Sequence, residues 1–146
     1  MNTPGHTLES CTYLVIDENG KDTAIFSGDT LFLGDVGRPD LAQKIGNMTH
    51  EDLAGMLYDS LQSKIMPLAD DIIVYPAHGE GSACGKNMQK ETVDKLGNQK
   101  KTNYALNQHN KENFIEEVLE GLWAPTNNCG MTGDRNEGGN ERFKGV

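Results

Sequence analysis

The chain has 146 residues, 36% of them hydrophobic, with 17 glycines, 22 acidic and 13 basic side chains and a formal charge of −9; this is the size of one ordinary domain or a piece of a larger one. The acidic balance excludes a nucleic-acid site that works through phosphates, which needs a cationic face, and no apolar run approaches the ~20 residues that span a bilayer. Three scattered cysteines are too few for a disulfide framework, and a start with neither a basic region nor an apolar core is no secretory signal, so a reducing cytoplasm fits.

The charge is uneven: residues 1–85 hold 13 acids and 4 bases, whereas residues 86–146 hold 9 of each. Thr12–Ile16 is a β-branched and aromatic run, followed by Asp17-Glu18-Asn19-Gly20 and a second run, Thr23–Ser27. Asn-Gly favours tight hairpins because both residues tolerate positive φ, so the two runs are expected to pair. Both are mostly apolar, which predicts strands covered on both faces. Gly28–Asp40 (GDTLFLGDVGRPD) reads as a glycine-rich functional loop. Thr49 is placed to cap a helix with Glu51 and Asp52 in its first turn, and Leu53, Met56, Leu57, Leu61 and Ile65 recur at helical spacing up to Pro67. Asp71–Tyr75 is a short buried strand running into Pro76-Ala77-His78-Gly79. Met88–Asn107 is expected as helical pieces broken near Gly97. Asn110 caps a last helix with Phe114, Ile115, Val118, Leu119 and Leu122 as its apolar stripe. From Ala124 the chain is polar and aperiodic, a linker or tail.

The chemistry gathers at strand ends, where α/β folds hold their ligands. His6 sits just before a strand in TPGHT, Asp29 just after one in SGDT, and His78 just after another in YPAHG. Two imidazoles and a carboxylate suit non-haem Fe(II) or, with a water, catalytic Zn²⁺; the bland alternative is three unrelated loop residues, with Asp29 bonding turn amides. His50 and His109, in polar positions flanking helices, read as surface residues. Arg38 can grip a substrate carboxylate through its fork, or lock its own loop onto Asp35 or Asp40. Cys84, six residues after His78 and two before Lys86, is a candidate sulfur carrier if that cation favours its thiolate; Cys11 reads as core packing and Cys129 as an unactivated tail residue. Tyr75, at a strand end, reads as packing.

Taken in order, TPGHT, FSGDTLFLGDVGRPDL and VYPAHGEGSACGK resemble the metallo-β-lactamase superfamily, and within it the persulfide (sulfur) dioxygenase branch, including members fused to rhodanese domains; glyoxalase II is a more distant relative. The resemblance runs from about Thr3 to Leu122. It implies an αββα sandwich with metal between two sheets. This chain would carry half of it, an α/β (α+β) unit with a β-hairpin and further strands covered by helices over residues 1–123, followed by the polar segment 124–146. His6 then matches a first-metal histidine, Asp29 the carboxylate that binds and can bridge metals, and His78 a second-metal histidine that lines the pocket where only one metal is present. The cofactor implied is Fe(II), with Zn(II) as alternative, and the substrate a small thiol persulfide of glutathione type, oxidised with O₂ to sulfite while the thiol is regenerated. The family's His-x-His-x-Asp-His motif is absent from this sequence. The chain is therefore expected to be the C-terminal half of the domain, inactive alone, holding metal weakly, and self-associating or pairing with a chain that supplies the rest. The competing readings are a glyoxalase II-like thioester hydrolase with a dinuclear site, and a non-catalytic half-domain.

Overall fold

The structure, a computed structural model, describes residues 1–41 and 48–122. The polar segment 124–146, with Cys129, lies outside the described residues. Four strands, β1 (Tyr13–Ile16), β2 (Asp22–Gly28), β3 (Ile73–Pro76) and β4 (Asp94–Lys95), form one sheet in the order β1-β2-β3-β4. β1 and β2 are the expected antiparallel hairpin, with Tyr13 opposite Phe26 and Leu14 opposite Ile25. The turn differs from the one expected. Only Gly20 takes positive φ (79°), and Asp17 Oδ1 accepts the amides of Asn19 and Lys21, both at 2.9 Å. The aspartate therefore builds a longer loop than an Asn-Gly pair alone requires. β3 pairs parallel to β2, with Ile25 opposite Val74 and Phe26 opposite Tyr75, so the connection between them must cross over, and α1 (His50–Ser60) makes that crossing.

α1 begins where Thr49 predicts. Thr49 Oγ1 accepts Asp52 N–H at 3.1 Å and Asp52 Oδ2 accepts Thr49 N–H at 3.0 Å, a reciprocal cap. The helix continues as one wider turn over Leu61–Ile65, and Leu53, Leu57, Leu61 and Ile65 bury its stripe. α2 (Leu96–Thr102) and α3 (Lys111–Leu119) follow. Gly97 does not break a helix: it lies in the first turn of α2, where its N–H bonds Asp70 O at 3.0 Å. Residues 88–93 are not helical. Asn110 caps α3 through the Asn113 amide at 2.8 Å, and Phe114 and Val118 are buried. No helix of the described residues is long and apolar enough to cross a membrane.

The core joins Ile25 and Val74 of the sheet to Leu57, Leu61 and Ile65, to Phe114 and Val118, and to Leu31, Leu33 and Val36. Those last three belong to the glycine-rich loop Gly28–Asp40, whose Leu-Phe-Leu run is interior. Among the described residues the sheet is covered on one face only, where cover on both was expected. The alternating residues Tyr13, Val15, Phe26 and Tyr75 stand on the other face and are exposed, Tyr13 by 70%, and Phe26 stacks on Tyr75 at 5.1 Å between ring centroids. The described helices contribute their buried residues to the core on the Ile25/Val74 side, leaving Tyr13, Val15, Phe26 and Tyr75 as a contiguous exposed apolar face of the kind that favours association. The chain alone should associate in a concentration-dependent manner when followed by size-exclusion chromatography with light scattering, and a Tyr13→Ser/Phe26→Ser double variant should move towards monomer. An unchanged mass distribution would count against this face.

Candidate metal centre

His6, Asp29 and His78 meet at one end of the sheet although they come from three separate segments. Ser60 Oγ donates to Pro4 O at 2.7 Å, which lays the His6 segment on α1. Thr3 Oγ1 reaches Thr30 Oγ1 at 2.8 Å, beside Asp29. Ala77 N–H donates to Gly28 O at 3.2 Å, closing the end of β3 onto the end of β2 and bringing His78 up to Asp29. His6 Nε2 stands 3.2 Å from Asp29 Oδ2, and His78 Nε2 stands 3.2 Å from Asp29 Oδ1. The two imidazoles thus approach opposite oxygens of one carboxylate.

The tautomer of His6 follows from its other nitrogen. Nδ1 lies 2.8 Å from the carbonyl oxygen of Arg38, and a carbonyl only accepts, so Nδ1 carries the proton. A neutral His6 therefore points its Nε2 lone pair at an anionic oxygen. That contact is repulsive unless the ring takes a second proton or a cation lies between them. Burial disfavours a charged His6, but the Asp29 carboxylate, the Arg38 carbonyl and the charge of Asp40 outweigh it and raise the pKa above 6.5. Burial likewise pushes Asp29 upward, yet the His6 hydrogen bond and the charges of both histidines bring it below 3.8.

The residues fit a metal on two observations. Asp29 Oδ1 is buried with no hydrogen-bond partner, because His78 approaches it without donating properly. His6 has the arrangement usual for a metal-bound imidazole, one nitrogen donating to a carbonyl and the other free to ligate. The donors do not form a complete set: among the described residues no three His, Cys, Asp or Glu side chains are grouped to enclose an ion. The His6 side chain is 13% exposed and that of His78 41%. Apart from its approach to Asp29, His78 has only an edge contact with Phe32, at 5.8 Å between centroids.

Arg38 turns its fork onto its own loop. Nε and Nη2 donate to Asp40 Oδ1 and Oδ2 at 2.9 and 2.6 Å, which is the locking arrangement rather than the grip. Cys84 is a free, half-buried thiol whose carbonyl accepts Arg38 N–H at 3.2 Å. The cation expected to activate it is engaged elsewhere: the Lys86 ammonium donates to the carbonyls of Glu117 and Glu120 at the end of α3 and lies over the Tyr104 ring. Cys11 is exposed, not core, because it lies outside β1 in an isolated bridge to Asn2. His109 is exposed and His50 opens α1.

Two further residues shape the site: Gly37, which carried no role from sequence, and Asp35, named there only as a possible partner of Arg38. Gly37 is pressed against the site: a Cβ there would lie 1.9 Å from Asp29 O and 3.2 Å from His6 Cβ, so only glycine fits. Asp35 is fully buried and accepts from Val36 N, Asn87 N and Tyr104 Oη at 2.7–2.8 Å and from Lys86 N. It ties the Gly28–Asp40 segment to the one that follows His78. Burial, with the Asp35 charge and hydrogen bond, holds the Tyr104 phenol far above its usual pKa. The signal for both was a glycine and an acid inside an otherwise apolar stretch.

No family model matches the sequence. Among curated proteins, the chain is 34% identical over 86 residues to the hydroxyacylglutathione hydrolase GloC of Haemophilus influenzae, covering 59% of this chain and 35% of that protein. It is 34% identical over 76 residues to the human mitochondrial persulfide dioxygenase ETHE1, covering 52% and 25%. Among solved structures, a metallo-β-lactamase from Staphylococcus aureus superposes with a TM-score of 0.77 at 34% identity, covering 90% of this chain and 36% of that one. ETHE1 from Myxococcus xanthus superposes at 0.63 with 28% identity, covering 88% and 47%. In sequence and fold alike, the chain matches part of a metallo-β-lactamase-type domain, as a mixed α/β half-domain. It spans about a third of the length of the first curated relatives it matches.

In the metal-free chain, the His6–Asp29 pair should contribute stability in a defined pH window. The part due to Asp29, whose pKa is lowered, is present above 3.8 and is lost as pH falls through the lowered value. The part due to His6, whose pKa is raised, is complete below 6.5 and is lost as pH rises through the raised value. An Asp29→Asn variant should therefore be less stable than wild type by about 1 kcal/mol near pH 5, discounted for partial exposure, with the gap narrowing in alkali. Urea unfolding at pH 5 and pH 9 measures it.

Proposed function

We propose that this chain supplies a histidine and the carboxylate of a mononuclear Fe(II) centre that oxidises a thiol-bound persulfide, in the manner named for its ETHE1 relative. The observation that carries this reading is the inequality of the two histidines. His6 is buried and oriented through Nδ1. His78 is largely exposed and has no hydrogen bond on its second nitrogen among the described residues. A ligand whose non-ligating nitrogen is held by a carbonyl is preorganised, whereas a ring held by an aromatic edge suits a pocket wall.

Bound iron would supply the redox chemistry through which O₂ converts the terminal sulfur to sulfite. The chain's own residues prepare the place. Asp29 offers a hard anionic donor and His6 a neutral Nε2. The exposed His78 ring, backed by the buried Phe32, would form the wall beside the substrate sulfur. The remaining donors come from a stretch bearing the His-x-His-x-Asp-His pattern, which this sequence lacks.

A second reading rests on a different observation. Asp29 presents one oxygen to each imidazole, as a carboxylate bridging two metals would. That favours a dinuclear hydrolase acting on a glutathione thioester, in line with the name of the Haemophilus relative. The two readings separate when the chain is combined with a polypeptide carrying the missing motif. Persulfide oxidation requires one iron per complex and O₂ uptake on glutathione persulfide. His6→Ala or Asp29→Ala should reduce that uptake by about 100-fold or more, and His78→Ala by less than about tenfold. Two metals per complex, thioester hydrolysis and equal sensitivity to His78→Ala would establish the hydrolase. A complex with neither metal nor turnover would leave a non-catalytic half-domain.

A further inference from the structure

Arg38 makes a set of bonds that neither a substrate grip nor a plain loop lock requires. Its carbonyl accepts His6 Nδ1–H at 2.8 Å. Its own N–H donates to Cys84 O at 3.2 Å, and Nη1 donates to Ala83 O at 3.4 Å. Nε and Nη2 are held by Asp40, and both side chains of that pair are 8% exposed. One residue therefore touches the segment before β1, through His6, and the far end of the loop that carries His78. The near end of that loop is fixed separately, by Ala77 N–H on Gly28 O. The residue before Arg38 is Gly37, whose backbone runs so close to the site that a Cβ there would meet Asp29 O and His6 Cβ.

We propose that Arg38, immobilised by Asp40, is a positioning residue: it fixes the ring orientation of His6 and the height of the His78 loop relative to Asp29. The physical reason lies in where the charge is spent. A buried fork-to-carboxylate pair contributes little net stability after desolvation, but it leaves guanidinium and backbone one allowed geometry. That geometry aims the carbonyl of Arg38 at His6 Nδ1, and hence His6 Nε2 at Asp29. Lysine keeps the charge but cannot form the fork, so charge and geometry can be separated by substitution. The inference rests on the reading of His6 and Asp29 as metal donors.

The test uses the full 146-residue chain. In the metal-free protein at a single pH, ¹⁵N-edited NMR of the histidine side chains should show His6 Nδ1–H protected from exchange. Arg38→Lys should speed that exchange by about tenfold or more, Asp40→Asn by less, and Lys100→Ala, which breaks a salt bridge to Asp70 unconnected with His6, not at all. Co²⁺ affinity should fall about 10–100-fold in Arg38→Lys, and the same substitution in a His6→Ala background should change it by no more than about twofold. Circular dichroism checks folding, and Asp40→Asn, which preserves shape, carries the test if Arg38→Lys does not fold. A protected His6 Nδ1–H in both folded variants overturns the positioning role. A wild-type chain that takes up no Co²⁺ even when combined with a polypeptide carrying the missing motif overturns the metal reading beneath it, a result distinguishable from the first because the exchange measurement needs no metal.

Discussion

Asp29 is half-buried, but one of its oxygens is enclosed without a hydrogen-bond donor, and the surroundings are arranged about that fact. One oxygen faces His6, and the other is enclosed with no donor that satisfies it. Removing a carboxylate from water is costly unless positive charge or good donors replace the solvent. Here the replacements are two imidazoles, one held firmly and one loosely. The glycine at position 37 lets the chain pass close behind the carboxylate, the end of β2 presents it, and the closure of β3 onto β2 delivers His78. Each of these features serves the placement of a single negative charge.

Two further acids, Asp35 and Asp40, hold the walls of that place. Asp35 gathers amides and a phenol from both flanking segments. Asp40 immobilises Arg38. Residues 30–40 are thus built as interior, with Leu31, Phe32, Leu33 and Val36 buried and with Asp35 and Asp40 satisfied by internal donors. Of the loop after β3, Ala77–Gly81 stay exposed, while the part from Ala83 onward is tied down by Arg38 and Asp35.

Much of this was legible in the residues. β-Branched and aromatic runs on either side of Asn19-Gly20 marked β1 and β2, and Thr49 with Glu51 and Asp52 marked the start of α1. The positions of His6, Asp29 and His78 at strand ends, with the order of three motifs, pointed to one cluster. Other features could not be read. Glycine-rich composition marked a loop at Gly28–Asp40, but local chemistry does not reveal that Leu31 and Leu33 turn inward. Cys11 looked like packing because exposure depends on where β1 begins, and element boundaries are weakly encoded. The weight between grip and lock at Arg38 depended on the distance to Asp40, which is a tertiary quantity. The coverage of both sheet faces was inferred from apolar content, but content does not say which chain segment provides the cover.

The parallel pairing of β2 with β3 also has a kinetic side. β1 and β2 can meet through a short turn, whereas Ala24 finds Ile73 only after the whole of α1 has been laid between them. Closing so long a loop carries an entropic cost that must be met before its contacts reward it. The two histidines reach Asp29 by different routes, one along the leading segment and one at the end of this late crossover. A refolding chain would thus show native hairpin signals well before the carboxylate gains its second imidazole, and the completed triad reports that the slowest step has finished.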